Sequence, residues 1–415
     1  MQKIPKKDVM IVGTKVPAVS KFKLPQKELR MDIGVRNPYA LANAALKEKI
    51  GWKDLAHDKR DEVFRRAFKK SLKDLFDPDQ KSLSPVYACS AASPCPAIGW
   101  ANLASWLYHD KFHGSDPVQG AACDCYLIAA LSSVAWTCQR GVITKDEATN
   151  PGYYTVKFYD DMANVTATIG VSKNLPVISN NLVYADSSTA NETWPSYYEK
   201  AYAQLYANLG SNPTTTQLID TLTQATLNCL CNGGNPLASL YHITKPSPYN
   251  YTTKTTKYPA TDYSDASAMW TAINNLTSGN KTIYPAVAWT YPDKEHAAQS
   301  LQMTTDAWNW ADYAGTTIVA QHAYSIFGTF NDTAAGKKYI ILRNPFGSDQ
   351  PDPSIPQLYT GSWSYTNKFY KANGVWNQTI MEPTPQTINL GNRDGIFALE
   401  AEAFRAYFEA FGWVK

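Results

Sequence analysis

Hydrophobic and polar positions divide the chain into unlike stretches. Phe64, Phe68, Leu72 and Phe76 recur every four residues, with Arg65, Arg66, Lys69, Lys70 and Lys73 between them. That spacing predicts an amphipathic helix, ended by Asp77-Pro78. Residues 79–118 are rich in Ser, Pro and Ala and read as turns. The run Cys125–Trp136, CYLIAALSSVAW, has no polar face and predicts a helix inside a core. Strand-like alternation follows at Tyr153–Tyr159, then a helical stretch at Ser196–Leu209. Between about 245 and 280 a Thr/Tyr/Asn/Pro-rich stretch without clear periodicity reads as a long connection. Beyond it Ile283–Thr290, Thr316–Phe327 and Lys338–Arg343 are β-branched and aromatic runs bounded by turn residues, hence strands. The expected layout is α+β: an N-terminal extension over 1–80, a helical half over 81–255 and a β-rich half over 256–415.

The 415 residues, 44% hydrophobic and 18% charged, exclude general disorder, and no apolar run approaches the eighteen residues of a membrane span. The opening MQKIPKKDVMIVGTKVP lacks the apolar segment of a secretory signal, so the cytosol is the default compartment. A secreted chain with its signal removed is the alternative. Seven cysteines, low charge and Asn-x-Thr sequons at Asn164, Asn191, Asn250, Asn275, Asn280, Asn331 and Asn377 would suit it. The net charge of +3 hides an asymmetry, since residues 1–80 hold 19 Lys/Arg against 11 Asp/Glu and 81–415 hold 20 against 25. A basic arm on an acidic body suits docking on its own core first, then anionic lipid. Nucleic acid is not expected, because aromatics are not interleaved with the basic run.

Three segments carry candidate chemistry: QGAACDCYLIAAL (119–131), QHAYS (321–325) and LRNPFG (342–347). Cys125 at the first turn of a buried helix would feel the positive end of the helix dipole, which favours thiolate over thiol. His322 on a strand can hold an imidazole against that sulfur, and the Asn344 carboxamide can fix the ring from its other nitrogen. Gln119 can donate to a developing oxyanion together with the backbone N–H of Cys125.

These segments resemble those of the calpain family of papain-like cysteine peptidases, whose motifs read Gln-Gly-x-x-Gly-Asp-Cys-Trp, Gly-His-Ala-Tyr-Ser and Leu-Arg-Asn-Pro-Trp-Gly in the same order. Supporting matches are EKAYAQL (199–205), Gly233-Gly234, GSWS (361–364) and DGIF (394–397). The resemblance spans about 100–415. It implies a two-subdomain peptidase, Cys125 on the helical part and His322 and Asn344 on the β part, cleaving protein or peptide substrates through a thioester. Gln119 would complete the oxyanion hole, and Gly233 and Gly234 would bind the substrate backbone. No cofactor is implied for the chemistry. A silent peptide-binding descendant of the fold is the alternative reading.

Departures from the family bear on the details. Tyr126 and Phe346 stand where the family has Trp, and Cys123 replaces a Gly. The segment Cys231-Asn-Gly-Gly234 resembles one by which papain-type enzymes bridge to the region before their nucleophile, which implies a Cys123–Cys231 disulfide. A zinc site at the two C-x-C pairs is disfavoured by spacing. Of the family's two calcium sites, Asp116 and Glu199 match the acids of the first. At the other, Gln350, Tyr365 and Ile396 stand in place of acids and Asp394 alone is left, so that site is expected to be lost. The resemblance therefore implies Ca²⁺ at one site at most. Asp116 and Glu199 could equally be solvated or paired with Lys/Arg.

Overall fold

The apolar run after Cys123 forms one buried helix, Cys125–Thr137 (α1), in which every residue from Tyr126 to Ala135 is buried. Its Ala and Leu residues are strong helix formers, and the Asp124 carbonyl accepts the N–H groups of Leu127 and Ile128 to start it. A computed structural model describes residues 98–103, 107, 113–137, 143–145, 150–178, 181–211, 216–231, 233–245, 255–259, 263–290, 318–319, 322–347, 357–366, 385–390 and 395–414. The amphipathic helix expected around Phe64–Phe76, and the rest of 1–80, lie outside these residues.

Helices and the strands of the two larger sheets are numbered in chain order. After α1 come β1 (Ile143–Lys145), β2 (Tyr153–Asp160), β3 (Val165–Ser172), α2 (Trp194–Ala207), β4 (Gln217–Ile219), α3 (Gln224–Leu230) and α4 (Pro236–Thr244). There follow β5 (Thr255–Pro259), α5 (Ala266–Asn274), β6 (Ala286–Thr290), β7 (Ala323–Asp332), β8 (Lys337–Arg343), β9 (Ile396–Glu400), α6 (Ala401–Tyr407) and β10 (Phe408–Val414). The first sheet runs β1-β2-β3-β4, antiparallel except for the parallel β3–β4 pair. The second runs β5-β10-β6-β7-β8-β9 and ends on the short strand Leu358–Tyr359, antiparallel throughout.

The class is α+β, as expected, but two parts of the layout differ. The first half is not simply helical, because β1–β4 form a sheet beside α2 and α4. The stretch 245–280 is not a bare connection, since it holds β5 and α5. In α5 the buried positions Ala266, Met269, Trp270 and Ile273 keep a helical period, and the Asp265 carboxylate caps the N-terminus by accepting from Ala268 N–H.

Helix α1 packs on α4 on one side and on β7 and β6 on the other. Small side chains let strands approach its backbone. The Ser133 hydroxyl donates to Ala286 O at 2.8 Å and accepts from Ala286 N–H at 2.6 Å, while the Ser325 hydroxyl donates to Ala129 O at 2.7 Å. At its end the Trp136 indole N–H donates to Phe327 O at 2.7 Å, with the two rings stacked 4.3 Å apart. Leu127, Ile128 and Leu131 fill the core between them. Each contributes about 1.5–3 kcal/mol by burial. No helix among the described residues is long and apolar enough to cross a membrane.

Candidate active site

Helix α1 starts at Cys125, so the half-buried sulfur sits at the helix N-terminus. The residue after His322 meets it there: the Ala323 N–H bonds to the sulfur, as does that of Tyr126. These donors favour thiolate, but burial outweighs them and, with the Asp124 charge, pushes the resting thiol up to about 12. Desolvation dominates, and the proton must leave through a partner.

His322 lies one residue before β7 and is pinned by Thr290 at the end of β6. Its N–H donates to the Thr290 hydroxyl at 3.0 Å, and its carbonyl accepts the Thr290 N–H at 3.0 Å. Asn344 follows β8, where its N–H donates to Gly395 O at 2.8 Å. Adjacent antiparallel strands thereby bring the two side chains together, with His322 Nε2 2.9 Å from Asn344 Oδ1. The same Oδ1 accepts from Phe346 N–H at 3.1 Å, which marks it as the carbonyl oxygen. Nε2 therefore carries the proton and Nδ1 the lone pair. The Phe346 ring stacks on the imidazole at 4.6 Å and shields this bond. Burial drives His322 down to about 4, against the opposing effect of Asn344.

Gln119 is buried beside Asn344, for its N–H donates to Pro345 O at 2.9 Å. Its side-chain amide gives one hydrogen to Ala122 O at 2.6 Å. Gly120 must be glycine, because a Cβ there would fall 2.0 Å from Tyr184 O. Gly234 lies against the ring of Tyr126, where a Cβ would fall 2.3 Å from Cε2. The carbonyl of Gly233 is taken by the Tyr206 hydroxyl at 3.1 Å.

The two acids expected at a calcium site are otherwise engaged. Asp116 accepts from His113 N–H at 2.6 Å, the Trp194 indole at 3.2 Å and the Thr189 hydroxyl at 3.4 Å. Glu199 accepts from Ala185 N–H at 2.9 Å through Oε2 and faces the Asp124 carboxyl. Burial and then the Asp124 charge raise the Glu199 carboxyl well above the usual carboxylate range. The described residues contain no group of three or more His, Cys, Asp or Glu able to hold a metal. As a pair, Asp116 and Glu199 do not fit calcium. The disulfide expectation is corrected too: Cys123 and Cys125 carry thiols, whereas Cys229 and Cys231 are both disulfide-bonded. Cys231 therefore has a disulfide partner other than Cys123.

Several positions around the site were not read from sequence. Thr290 holds the backbone of His322, and Arg343 donates to the Ser132 hydroxyl at 2.7 Å and Ser115 O at 2.6 Å. Arg343 could have been singled out, since it adjoins Asn344 in its motif. The partnership of Asp124 with Glu199 had no local signal.

A cysteine at the start of a buried helix, with a histidine–asparagine pair carried at the ends of neighbouring strands, is the arrangement of papain-like thiol peptidases. The sequence profile described as calpain family cysteine protease matches residues 73–414, and the chain belongs to that family. It is similar to a thiol protease of Porphyromonas gingivalis, 24% identical over 308 residues, covering 70% of this chain and 53% of that protein. It is also similar to human calpain-9, 23% identical over 301 residues, covering 71% of this chain and 35% of the relative. Mouse calpain-5 is 30% identical over 150 residues, 31% of this chain and 23% of that protein. The chain thus spans about half the length of the first relative and about a third of the second.

Proposed function

We propose that this chain is a cysteine endopeptidase that hydrolyses protein or peptide bonds through a thioester. The observation that carries the reading is the His322–Asn344 pair, held in the segment whose Ala323 N–H bonds to the sulfur of Cys125. The thiol proton passes to His322 Nδ1 as the sulfur attacks the scissile carbonyl. The second hydrogen of the Gln119 amide and the Cys125 N–H stabilise the oxyanion, each donor contributing about 10²–10³ in rate. The imidazolium then protonates the leaving amine. Water, deprotonated by the same nitrogen, cleaves the thioester and returns the thiol. Asn344 keeps the ring in the tautomer that allows this.

The reading divides the core into two subdomains, 81–255 with Cys125 and 256–415 with His322 and Asn344, the cleft lying between them. The Gly233 carbonyl is already bonded to Tyr206, so contact with the substrate strand falls chiefly on Gly234. The basic segment 1–80 docks on the acidic core. No step is assigned to a metal.

The test is intact-mass labelling with an epoxide inhibitor of cysteine peptidases, alongside cleavage of an unfolded protein. Wild type takes one adduct and cuts, whereas Cys125→Ala does neither. A folded wild type that takes no adduct, with and without residues 1–80, would overturn the reading in favour of a silent peptide-binding protein.

A further inference from the structure

The sequons have no part in the peptidase chemistry, yet their placement is not random. Five of the seven fall among the described residues: Asn164, Asn191, Asn275, Asn280 and Asn331. All five asparagines are exposed, whereas of the ten other described asparagines only Asn102, Asn181 and Asn389 are. The described non-glycine residues with positive φ are Asn164, Asn191 and Asn280, each a sequon asparagine at a turn. Asparagine suits that backbone on its own account, but the turn does not call for a threonine two residues on. Every sequon of the chain carries Thr, not Ser, at that position, and Thr166 and Thr333 are exposed.

We propose that the chain is N-glycosylated at Asn164, Asn191, Asn275 and Asn331 and matures in an oxidising, glycosylating compartment. The Asn side-chain nitrogen attacks C1 of a lipid-diphosphate-linked oligosaccharide. The N–C1 bond forms, the C1–O bond to phosphate breaks, the lipid diphosphate leaves and the transferase takes the amide proton. The folded protein accommodates the products, since a sugar on an exposed amide displaces no core. Asn280 is left out because its Nδ2 donates to Ser364 O at 3.0 Å, so a glycan there would crowd the neighbouring strand.

Two further observations agree. Cys229 and Cys231 are disulfide-bonded, a state that persists in oxidising compartments. The glycans at Asn331 and Asn275 also stay clear of His322. His322 adjoins the first residue of β7 and Asn331 is the next-to-last, which separates them by roughly 30 Å at about 3.3 Å per residue. Asn275 lies at that far end as well, because the neighbouring Asn274 Oδ1 accepts the Thr329 hydroxyl at 2.6 Å. Asn164 sits at the tip of the β2–β3 hairpin.

The test is mass spectrometry of the chain purified from its native source, before and after peptide-N-glycosidase in heavy-oxygen water, with peptide mapping. The expected result is a mass above the 46.0 kDa of the polypeptide, lost on digestion. Heavy oxygen should then appear in aspartate at positions 164, 191, 275 and 331. An Asn331→Gln chain should lose one glycan and keep its epoxide labelling rate. An unmodified intact mass, or glycans confined to Asn250, Asn377 or Asn280, would overturn the proposal.

Discussion

Gly234→Ala is the most discriminating single change, because it adds one methyl against the residue that follows Cys125. The new Cβ would lie 2.3, 2.5 and 2.6 Å from Cε2, Cδ2 and Cζ of Tyr126, so a shift of about 1 Å is unavoidable. The ring has no open side to move into: Tyr206 packs on it at 5.8 Å and Tyr202 at 6.5 Å, and its hydroxyl donates to Leu230 O at 3.4 Å. Overpacking of this kind costs about 1–3 kcal/mol. Any part relieved by displacing the start of α1 moves the sulfur, and a misplacement of about 1 Å costs roughly 100-fold in rate. We expect stability to fall by about 2 kcal/mol and epoxide labelling of Cys125 to slow about 10–100-fold. Chemical unfolding and labelling time courses read the two effects. Adding Tyr126→Leu removes the obstructing ring and should restore part of the labelling rate, a coupling read from the double-mutant cycle. Wild-type labelling and stability in Gly234→Ala would refute the claimed contact between the glycine pair and the nucleophile helix.

Three other outcomes follow from the same geometry. Asn344→Ala leaves the buried His322 Nε2–H and Phe346 N–H without their acceptor, at about 1–3 kcal/mol each; kcat should drop sharply while Asn344→Gln recovers part of it, and equal loss in both variants would argue against an orienting role. His322 is held near 4 against 6.5 for the free side chain, so the unfolded chain binds more protons between those values and stability should fall as pH drops through that window, by on the order of 3 kcal/mol in all. Urea unfolding at about pH 7 and about pH 4.5 checks this, and His322→Gln should flatten the difference. Epoxide labelling should proceed at the same rate in calcium and in chelator, because Asp116 is occupied by protein donors and Glu199 faces Asp124. A calcium-stimulated rate would show that those carboxylates rearrange.

What was legible in the sequence was what local pattern encodes. The helix expected at Cys125–Trp136 spans Cys125–Thr137, and the strand expected at Lys338–Arg343 spans Lys337–Arg343. The strand sought at Thr316–Phe327 is instead Ala323–Asp332, carried past Gly328 by a register shift against β8. Helix α5 was missed although its apolar period was present, because surrounding Thr, Tyr and Pro residues read as a linker. The candidate triad was legible as three motifs, yet nothing local disclosed how burial would act on it. The rise of the Cys125 thiol and the fall of His322 come from the surrounding core, and the pairing of Asp124 with Glu199 joins residues 75 positions apart.

The serine stitches along α1 have a consequence for motion. A helix held at Ala129, Ser133 and Trp136 by a sheet from the other half of the chain cannot fray or slide by itself, since an advance of one residue, about 1.5 Å, would break all three attachments. Exchange of the amides around Ala129, Ser133 and Trp136 should therefore follow parting of the sheet from the helix rather than fraying of the helix alone.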